Sequence, residues 1–435
     1  MSRPGEAARA AALGLLEAVL GRRQPLDEAI RRELRQGGRL PALEARDRAF
    51  ARLLTATALR RLGQIDDALS RCLDRPLKGG ARRVESILRL AAAQLLFLET
   101  APHAAVDAAV RQAGRAPAFA KLVNAVLRRL AREGADLVAA QDAARLNCPD
   151  WLWRSWSEAY GETTTRAVVT QLLSEPALDL TVKTAPEQWA GRLDAVVLPT
   201  GSLRLAVGGA VESFPGYRQG AWWVQDTAAA LPARLLGQVR GRQVLDLAAA
   251  PGGKTLQLAA AGARVTAVDL SASRLELVRQ NLQRTGLEAE LIRADIKAWR
   301  PPAPFELILL DMPCTATGTI RRHPDIWRLK NAADVVEMAA LQRRLVEAAL
   351  DMLAPGGRLV FGTCSLQPAE GEGLAAAVLA EHAVIRRQPI LPAEIGGLAE
   401  LINGEGDLRT MPCHLAGQGG LDGFFACRVV RFQGP

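Results

Sequence analysis

Residues 243–269 read QVLDLAAAPGGKTLQLAAAGARVTAVD. An apolar run at Gln243–Ala248 passes into a turn with two adjacent glycines, then a helical stretch, and a second apolar run at Ala263–Asp269 ends on a carboxylate. This strand, helix, strand alternation continues downstream at Ala289–Asp295, Phe305–Asp311 and Arg358–Thr363, and predicts a doubly wound parallel sheet. The closing runs Asp407–Met411 and Gly423–Arg431 predict an antiparallel hairpin on the edge of that sheet. The α/β domain spans 236–435.

Upstream the texture differs. From Ala7 to Ala135 apolar residues recur at three- and four-residue spacing, as in Ala12–Val19, Phe50–Leu62, Ile87–Leu98 and Leu122–Leu130. Breaks fall at Pro25, Pro41, Gly79–Gly80, Pro102 and Pro117. An all-helical domain of about six helices over 1–140 follows. Residues 141–235 read as a small mixed α/β module, with Trp151, Trp153 and Trp156 on a short helix and strand-like runs at Leu178–Lys183 and Ser202–Val207. The tryptophans fit a packing face better than a base-stacking platform. A chain of 435 residues exceeds one hydrophobic core, which agrees with several domains.

Composition removes several classes. With 49% hydrophobic and 23% charged residues the chain is neither disordered nor fibrous. Its six cysteines show no CxxC and no paired spacing, so neither a disulfide framework nor a metal site is expected, and a reducing cytoplasm is. Glu6 and Glu17 interrupt the first apolar run, which reads as an amphipathic helix, and no uncharged stretch is long enough for a membrane span. The net charge of +9 is unevenly placed: residues 1–140 hold 25 Lys+Arg and 15 Asp+Glu, a net of +10, and the other 295 hold 30 and 31, a net of −1. A polyanionic partner for the helical domain is implied.

In an open α/β sheet, ligands bind beyond the carboxyl ends of the strands. This reading places there the turn Ala249–Lys254, then Asp269, Asp295, the stretch Asp311–Cys314, and Cys364. A glycine turn that opens a helix, followed 17 residues after Gly252 by Asp269, predicts a nucleoside-containing cofactor. The turn lacks GxGxxG, against a nicotinamide dinucleotide. A P-loop is the rival, because Gly253-Lys254-Thr255 ends like one, but Ala248 stands where its first glycine belongs. Cys72, Cys148, Cys413 and Cys427 read as small buried hydrophobes. Cys314 and Cys364 end the fourth and fifth strands, where turn N–H groups lower a thiol pKa, and at least one is expected to be a nucleophile.

VLDLAAAPGGKT (Val244–Thr255), DMPCTATGTIRRHPDIW (Asp311–Trp327) and GTCS (Gly362–Ser365), with WWVQD at Trp222–Asp226 and DGFF at Asp422–Phe425, resemble the signatures of S-adenosylmethionine-dependent RNA cytosine-C5 methyltransferases. PHAAVDAAV (Pro102–Val110) and KLVNAVLRRL (Lys121–Leu130) are similar to the NusB-like helical domain fused to such a methyltransferase in the enzyme that modifies 16S ribosomal RNA. The resemblance implies that Cys364 attacks C6 of cytosine, that Cys314 assists release of the product, and that Asp311 binds the Watson–Crick edge of the base. DNA cytosine methyltransferases use their PC cysteine as the nucleophile instead, so spacing alone leaves that choice open.

S-adenosyl-L-methionine is the implied cofactor, held by Ala248, Ala249, Ala250, Pro251, Gly252, Gly253 and Lys254, with Asp269 at the ribose, Asp295 at the adenine, and Asp311 nearby. Arg274 belongs either to the cofactor side or to a solvated helix face. Arg321, Arg322 and His323 either touch RNA phosphates, shape the pocket or form a solvated loop, and Trp222 and Trp223 either face a ligand or pack. Arg46, Arg48, Lys121, Arg128 and Arg129 are candidate phosphate contacts.

RNA, foremost 16S ribosomal RNA, is the expected partner of a monomeric enzyme, with transfer RNA as another target. A non-catalytic ribosome-assembly or antitermination factor is the alternative of another class. Three departures from the family pattern stand out: Ala248 at a position often Cys, Met312 before the proline, where its bulk is expected beside the target base, and Gly371 within what is commonly Glu-Asn-Glu.

Overall fold

The computed structural model describes residues 5–35, 37–77, 81–114, 117–206 and 209–432, so Val207, the last residue of the strand-like run read at Ser202–Val207, lies outside them. Contacts group the chain into two compact units, Met1–Ser174 with Ile320–Asn331, and Glu175–Thr319 with Ala332–Pro435.

In the first unit the three- and four-residue apolar spacing becomes the helices Glu6–Arg22, Leu26–Glu33, Ala45–Arg60, Leu62–Cys72, Arg82–Phe97, Pro102–Ala113 and Pro117–Ala139. They close over a core that includes Leu13, Leu16, Leu54, Leu59, Leu88 and Leu127. The break read at Gly79–Gly80 lies outside the described residues. Helix continues past 140 as Ala143–Asn147, Asp150–Tyr160 and Glu162–Leu172. The mixed segment 141–235 is therefore divided: its part up to Ser174 groups with the first unit, and its strands, with the helices Pro186–Leu193 and Thr227–Arg234, group with the second. One reason is Asn147, whose buried side chain accepts the backbone N–H groups of Gly63 and Gln64 at 3.0 and 3.2 Å and so caps the helix Leu62–Cys72. A Cβ on Gly63 would stand 1.8 Å from the Leu146 carbonyl oxygen, so only glycine permits this approach.

The segment Ile320–Asn331 belongs to this helical unit although it follows the fourth strand of the sheet in the chain. Asp325 Oδ2 accepts from Leu26 N at 2.9 Å, Arg60 Nη2 donates to the Arg321 carbonyl at 3.0 Å, and Leu329 packs on the core. The Trp327 ring lies 6.2 Å from that of Trp156. Trp153 is buried under the guanidinium groups of Arg145 and Arg166, each 5.2 Å from its ring. These tryptophans are a packing face.

The second unit holds two sheets. Strands β1 (Leu178–Val182), β2 (Ala195–Val197), β3 (Leu203–Leu205) and β4 (Trp222–Val224) form an antiparallel sheet in the order β2-β3-β1-β4. Trp222 is fully buried in its core, and Trp223 packs with Leu256, Leu275 and Val278, so both pack. The larger sheet comprises β5 (Gln243–Leu247), β6 (Arg264–Asp269), β7 (Glu290–Arg293), β8 (Phe305–Asp311), β9 (Leu353–Thr363), β10 (Ile385–Arg387), β11 (Leu408–Thr410) and β12 (Phe424–Arg431).

Its order is β10-β12-β9-β8-β5-β6-β7, with β11 also pairing β12. Strands β5 to β9 pair in parallel, and the apolar stretches of β5, β6, β8 and β9 are buried, whereas β7 at the end of the sheet has no buried residue. The expected hairpin exists, since Thr410 pairs with Phe424 antiparallel, but β12 is not an edge strand. It lies between β9 and β10, which explains why six of its eight residues are buried. Strand order reverses between β5 and β8. That switch point is where a doubly wound sheet opens a crevice.

Candidate active site

The loops after β5, β8 and β9 meet at this crevice. After β5 the backbone enters the left-handed region at Ala248 (φ 58°) and again at Gly252 (φ 102°), where a Cβ would lie 3.1 Å from Val278. The helix Gly253–Ala260 then begins. Asp269, at the end of β6 and 4% exposed, ties this loop down: its Oδ2 accepts from Ala250 N at 3.1 Å and its Oδ1 from Ser271 N at 2.9 Å. Each oxygen keeps a second lone pair for a further donor. Arg274 is exposed on its helix, and its guanidinium donates to the Ala250 carbonyl and so braces the loop. Asp295 is half-buried and accepts from Lys297 N at 3.0 Å.

Lys254 is almost buried. Its Nζ donates to Asp311 Oδ2 at 2.7 Å and sits 5.0 Å from the centre of the Phe424 ring. The sequence reading put Lys254 with the cofactor loop only, and a pairing across 57 residues leaves no local signal.

Beneath the loop, Asp246 is fully buried, with Oδ2 accepting from Thr255 Oγ1 at 2.6 Å and Oδ1 without a partner. Burial pushes its carboxyl up to about 7 from 3.8. The folded protein therefore holds a proton there that the unfolded chain gives up near pH 4. Stability is fully present below that pH and falls as pH rises toward 7, by at most about 4 kcal/mol. Asp246→Asn, which keeps an acceptor for Thr255, is expected to remove that slope. Urea midpoints from pH 5 to 8 measure it, and a variant with the wild-type slope would refute the assignment.

Parallel pairing of β8 with β9 puts Asp311 opposite Gly362, and so brings the residues just beyond them together. Cys314 Sγ and Cys364 Sγ lie 3.4 Å apart, both half-buried. Turn N–H groups were expected to lower a thiol pKa at this strand end. The Ala316 N–H does reach sulfur, at 3.3 Å, but it reaches Cys314. The Cys364 thiol is instead held well above its ordinary value, first by its hydrogen bond to Cys314 and then by burial, with Lys254 opposing.

Other expected contacts are reassigned. Met312 does not face the crevice; it is 3% exposed and packs into the sheet core with Leu310 and Leu345. Arg321 is 1% exposed, so it is not part of a solvated loop. Arg322 is half-buried, and His323 Nδ1 lies 3.4 Å from Asp27 Oδ2. Arg46, Lys121 and Arg128 are exposed, whereas Arg48 donates to the Leu43 carbonyl at 2.6 Å and Arg129 pairs with Glu133 at 2.9 Å. A cavity lies elsewhere in the second unit, along β7 beside Leu287 and Trp299, and is lined by neither cysteine nor histidine.

A family model described as "16S rRNA methyltransferase RsmB/F" matches residues 233–430, and one described as "NusB family" matches residues 6–132. The curated "Ribosomal RNA small subunit methyltransferase B" of Xanthomonas campestris pv. campestris is 36% identical, the match covering 98% of each chain. The protein of that name from Pseudomonas syringae pv. tomato is 34% identical over 97% of this chain and 96% of its own. The chain belongs to the RsmB/F family of 16S rRNA methyltransferases. Family membership makes it an S-adenosylmethionine-dependent methyltransferase that acts on ribosomal RNA, and the helical unit carries the family's NusB domain.

Among solved structures, "Crystal Structure of PH0851" shares the fold with a TM-score of 0.75 at 22% identity over 99% of both chains. A "Methyltransferase Homolog Protein from Pyrococcus Horikoshii" is 25% identical with a TM-score of 0.54, covering 64% of this chain and 94% of its own. Among the described residues no helix is long and apolar enough to cross a membrane.

Proposed function

We propose that the enzyme methylates C5 of a cytosine in 16S ribosomal RNA through a covalent bond between Cys364 and C6 of the base. The observation that carries this reading is the pair of thiols 3.4 Å apart beside the Lys254–Asp311 pair, at the point where strand order reverses. A cytosine inside a stacked helix hides C6 from a thiolate, so the base is turned out into the crevice. Asp311, held by Lys254, hydrogen-bonds its Watson–Crick edge. The Cys364 thiolate forms the sulfur–C6 bond, and the displaced π pair makes C5 and N3 electron-rich. C5 thereby becomes a carbon nucleophile and takes the methyl group, whose bond to the donor's sulfonium sulfur breaks with the electron pair left on that sulfur. Cys314 then assists loss of the C5 proton, whose bonding pair restores the C5–C6 double bond as the Cys364 sulfur leaves.

S-adenosylmethionine, when bound, supplies an electrophilic methyl on a sulfonium sulfur. The residues present fit it: left-handed backbone at Ala248 and Gly252 opens the loop toward the crevice, and Asp269 retains acceptor capacity for ribose hydroxyls. Ala248–Lys254, Asp269, Asp295 and Asp311 would hold it, with Arg274 fixing the loop. The net charge of +10 over 1–140 marks the helical unit as the RNA-docking part. All six cysteines are free, which suits a monomer working in a reducing cytoplasm.

The test is transfer of labelled methyl from S-adenosylmethionine to 16S ribosomal RNA, with hydrolysed RNA analysed for the modified base. 5-Methylcytosine in 16S RNA is the expected product. Label in transfer RNA alone, or in another base, would overturn the reading.

A further inference from the structure

The residues that follow the two cysteines share one buried anion. Glu370, fully buried in the short turn Pro368–Glu370, accepts from Thr315 N at 2.9 Å on Oε1 and from both the Ser365 hydroxyl at 2.5 Å and the Thr315 hydroxyl on Oε2. Gln342, fully buried as well, donates to Glu370 Oε1 at 3.0 Å and to the Pro313 carbonyl at 2.9 Å. Thr315 follows Cys314 and Ser365 follows Cys364, so one carboxylate grips the chain on the far side of each thiol.

A buried carboxylate is costly unless hydrogen bonds satisfy it, and here donors from two loops and a helix all do. Around it Thr317 Oγ1 meets Ser365 Oγ at 3.1 Å, and Gly318 N donates to the Cys364 carbonyl at 2.9 Å. Arg409, itself held by Glu372 at 2.6 and 2.8 Å, donates to the Ser365 carbonyl at 2.7 Å.

We infer that Glu370 is a positioning residue that sets the distance and orientation of Cys314 relative to Cys364. The inference rests on the proposed roles of the two thiols, since it gives the clamp its catalytic consequence. Neutralising or shortening the carboxylate breaks at least one grip, and the two loops then move independently. A misplacement of about 1 Å in a reacting group costs on the order of 100-fold in rate.

The test uses the full-length enzyme with Glu370→Gln, and Thr315→Val, which removes only the hydroxyl of one grip. Two readouts are taken. The first is kcat with KM for RNA and for S-adenosylmethionine; the second is the rate at which diamide, which takes two electrons and two protons from the thiols, closes a Cys314–Cys364 disulfide. Glu370→Gln is expected to lower kcat about 100-fold with both KM values within about twofold, and Thr315→Val about 10-fold, with disulfide closure slowed in the same order.

Wild-type kcat in Glu370→Gln would overturn the inference. So would a loss of kcat in both variants with disulfide closure at the wild-type rate, because the thiols would then be correctly placed. Disulfide closure does not depend on the catalytic assignment: an active Cys364→Ala enzyme would remove the proposed chemistry, whereas unchanged closure in the Glu370 variant would remove the clamp.

Discussion

Cys364→Ala is expected to abolish methyl transfer to ribosomal RNA, with a loss on the order of 10⁴-fold or more, while S-adenosylmethionine still binds and the protein still folds. Removal of a covalent nucleophile from an assembled site leaves only binding and orientation to assist the reaction. The variant deletes one sulfur atom from a half-buried position, so the fold should lose no more than about 1 kcal/mol. The chemistry also has a pH signature. The thiolate attacks, and the hydrogen bond to Cys314 together with burial keeps the Cys364 proton on well above the ordinary thiol range. Wild-type kcat should therefore climb with pH through neutrality into the alkaline range, about tenfold per unit where thiolate formation limits the rate. Labelled methyl incorporation measures both effects. Full activity in Cys364→Ala would refute the nucleophile assignment, and the Cys314 thiol would become the candidate.

The opposite failure is expected of Cys314→Ala. Attack on C6 should proceed, because the largest influence holding the proton on Cys364 is its bond to Cys314, and the variant removes it. Release should not proceed, because the group placed 3.4 Å from the nucleophile to assist elimination is gone. Enzyme should therefore accumulate covalently joined to RNA, visible as a band of retarded mobility on a denaturing gel and lost on ribonuclease treatment. Turnover should fall by about 10²–10⁴-fold, the usual scale of a lost proton-transfer group. The double variant Cys314→Ala with Cys364→Ala should show no band. Absence of any adduct in the single variant would rule out the release role.

Much of this architecture could be read along the chain. Parallel strands buried on both faces leave uninterrupted apolar runs such as Leu307–Leu310, and helices packed on one face leave three- and four-residue spacing, so fold class and the loops at strand ends were legible from Gln243 onward. Both cysteines, Asp311 and the glycine turn could be named because each sits at the end of such a run. Helix Asp150–Tyr160 was legible too, but not which unit it joins, since that depends on Asn147 reaching back to Gly63.

What remained hidden is what distant segments do to each other. The approach of Cys314 to Cys364 follows from the register of β8 on β9, in which hydrogen bonds align Asp311 with Gly362 across 51 residues of chain. Glu370 looks like any charged residue in a turn until four donors from three segments enclose it. The stretch after the DMPC motif, RRH at Arg321–His323, is open by composition to RNA contact, pocket shaping or plain solvation; Arg321 is buried, and Asp325 in the same segment accepts from Leu26 N, 299 residues earlier. Local pattern determined which residues form strands, helices and turns, since propensity and periodicity act over a few residues. Tertiary structure alone decided which side chains share a site and in what protonation state, because burial, hydrogen-bond satisfaction and strand register are properties of segments far apart in the chain.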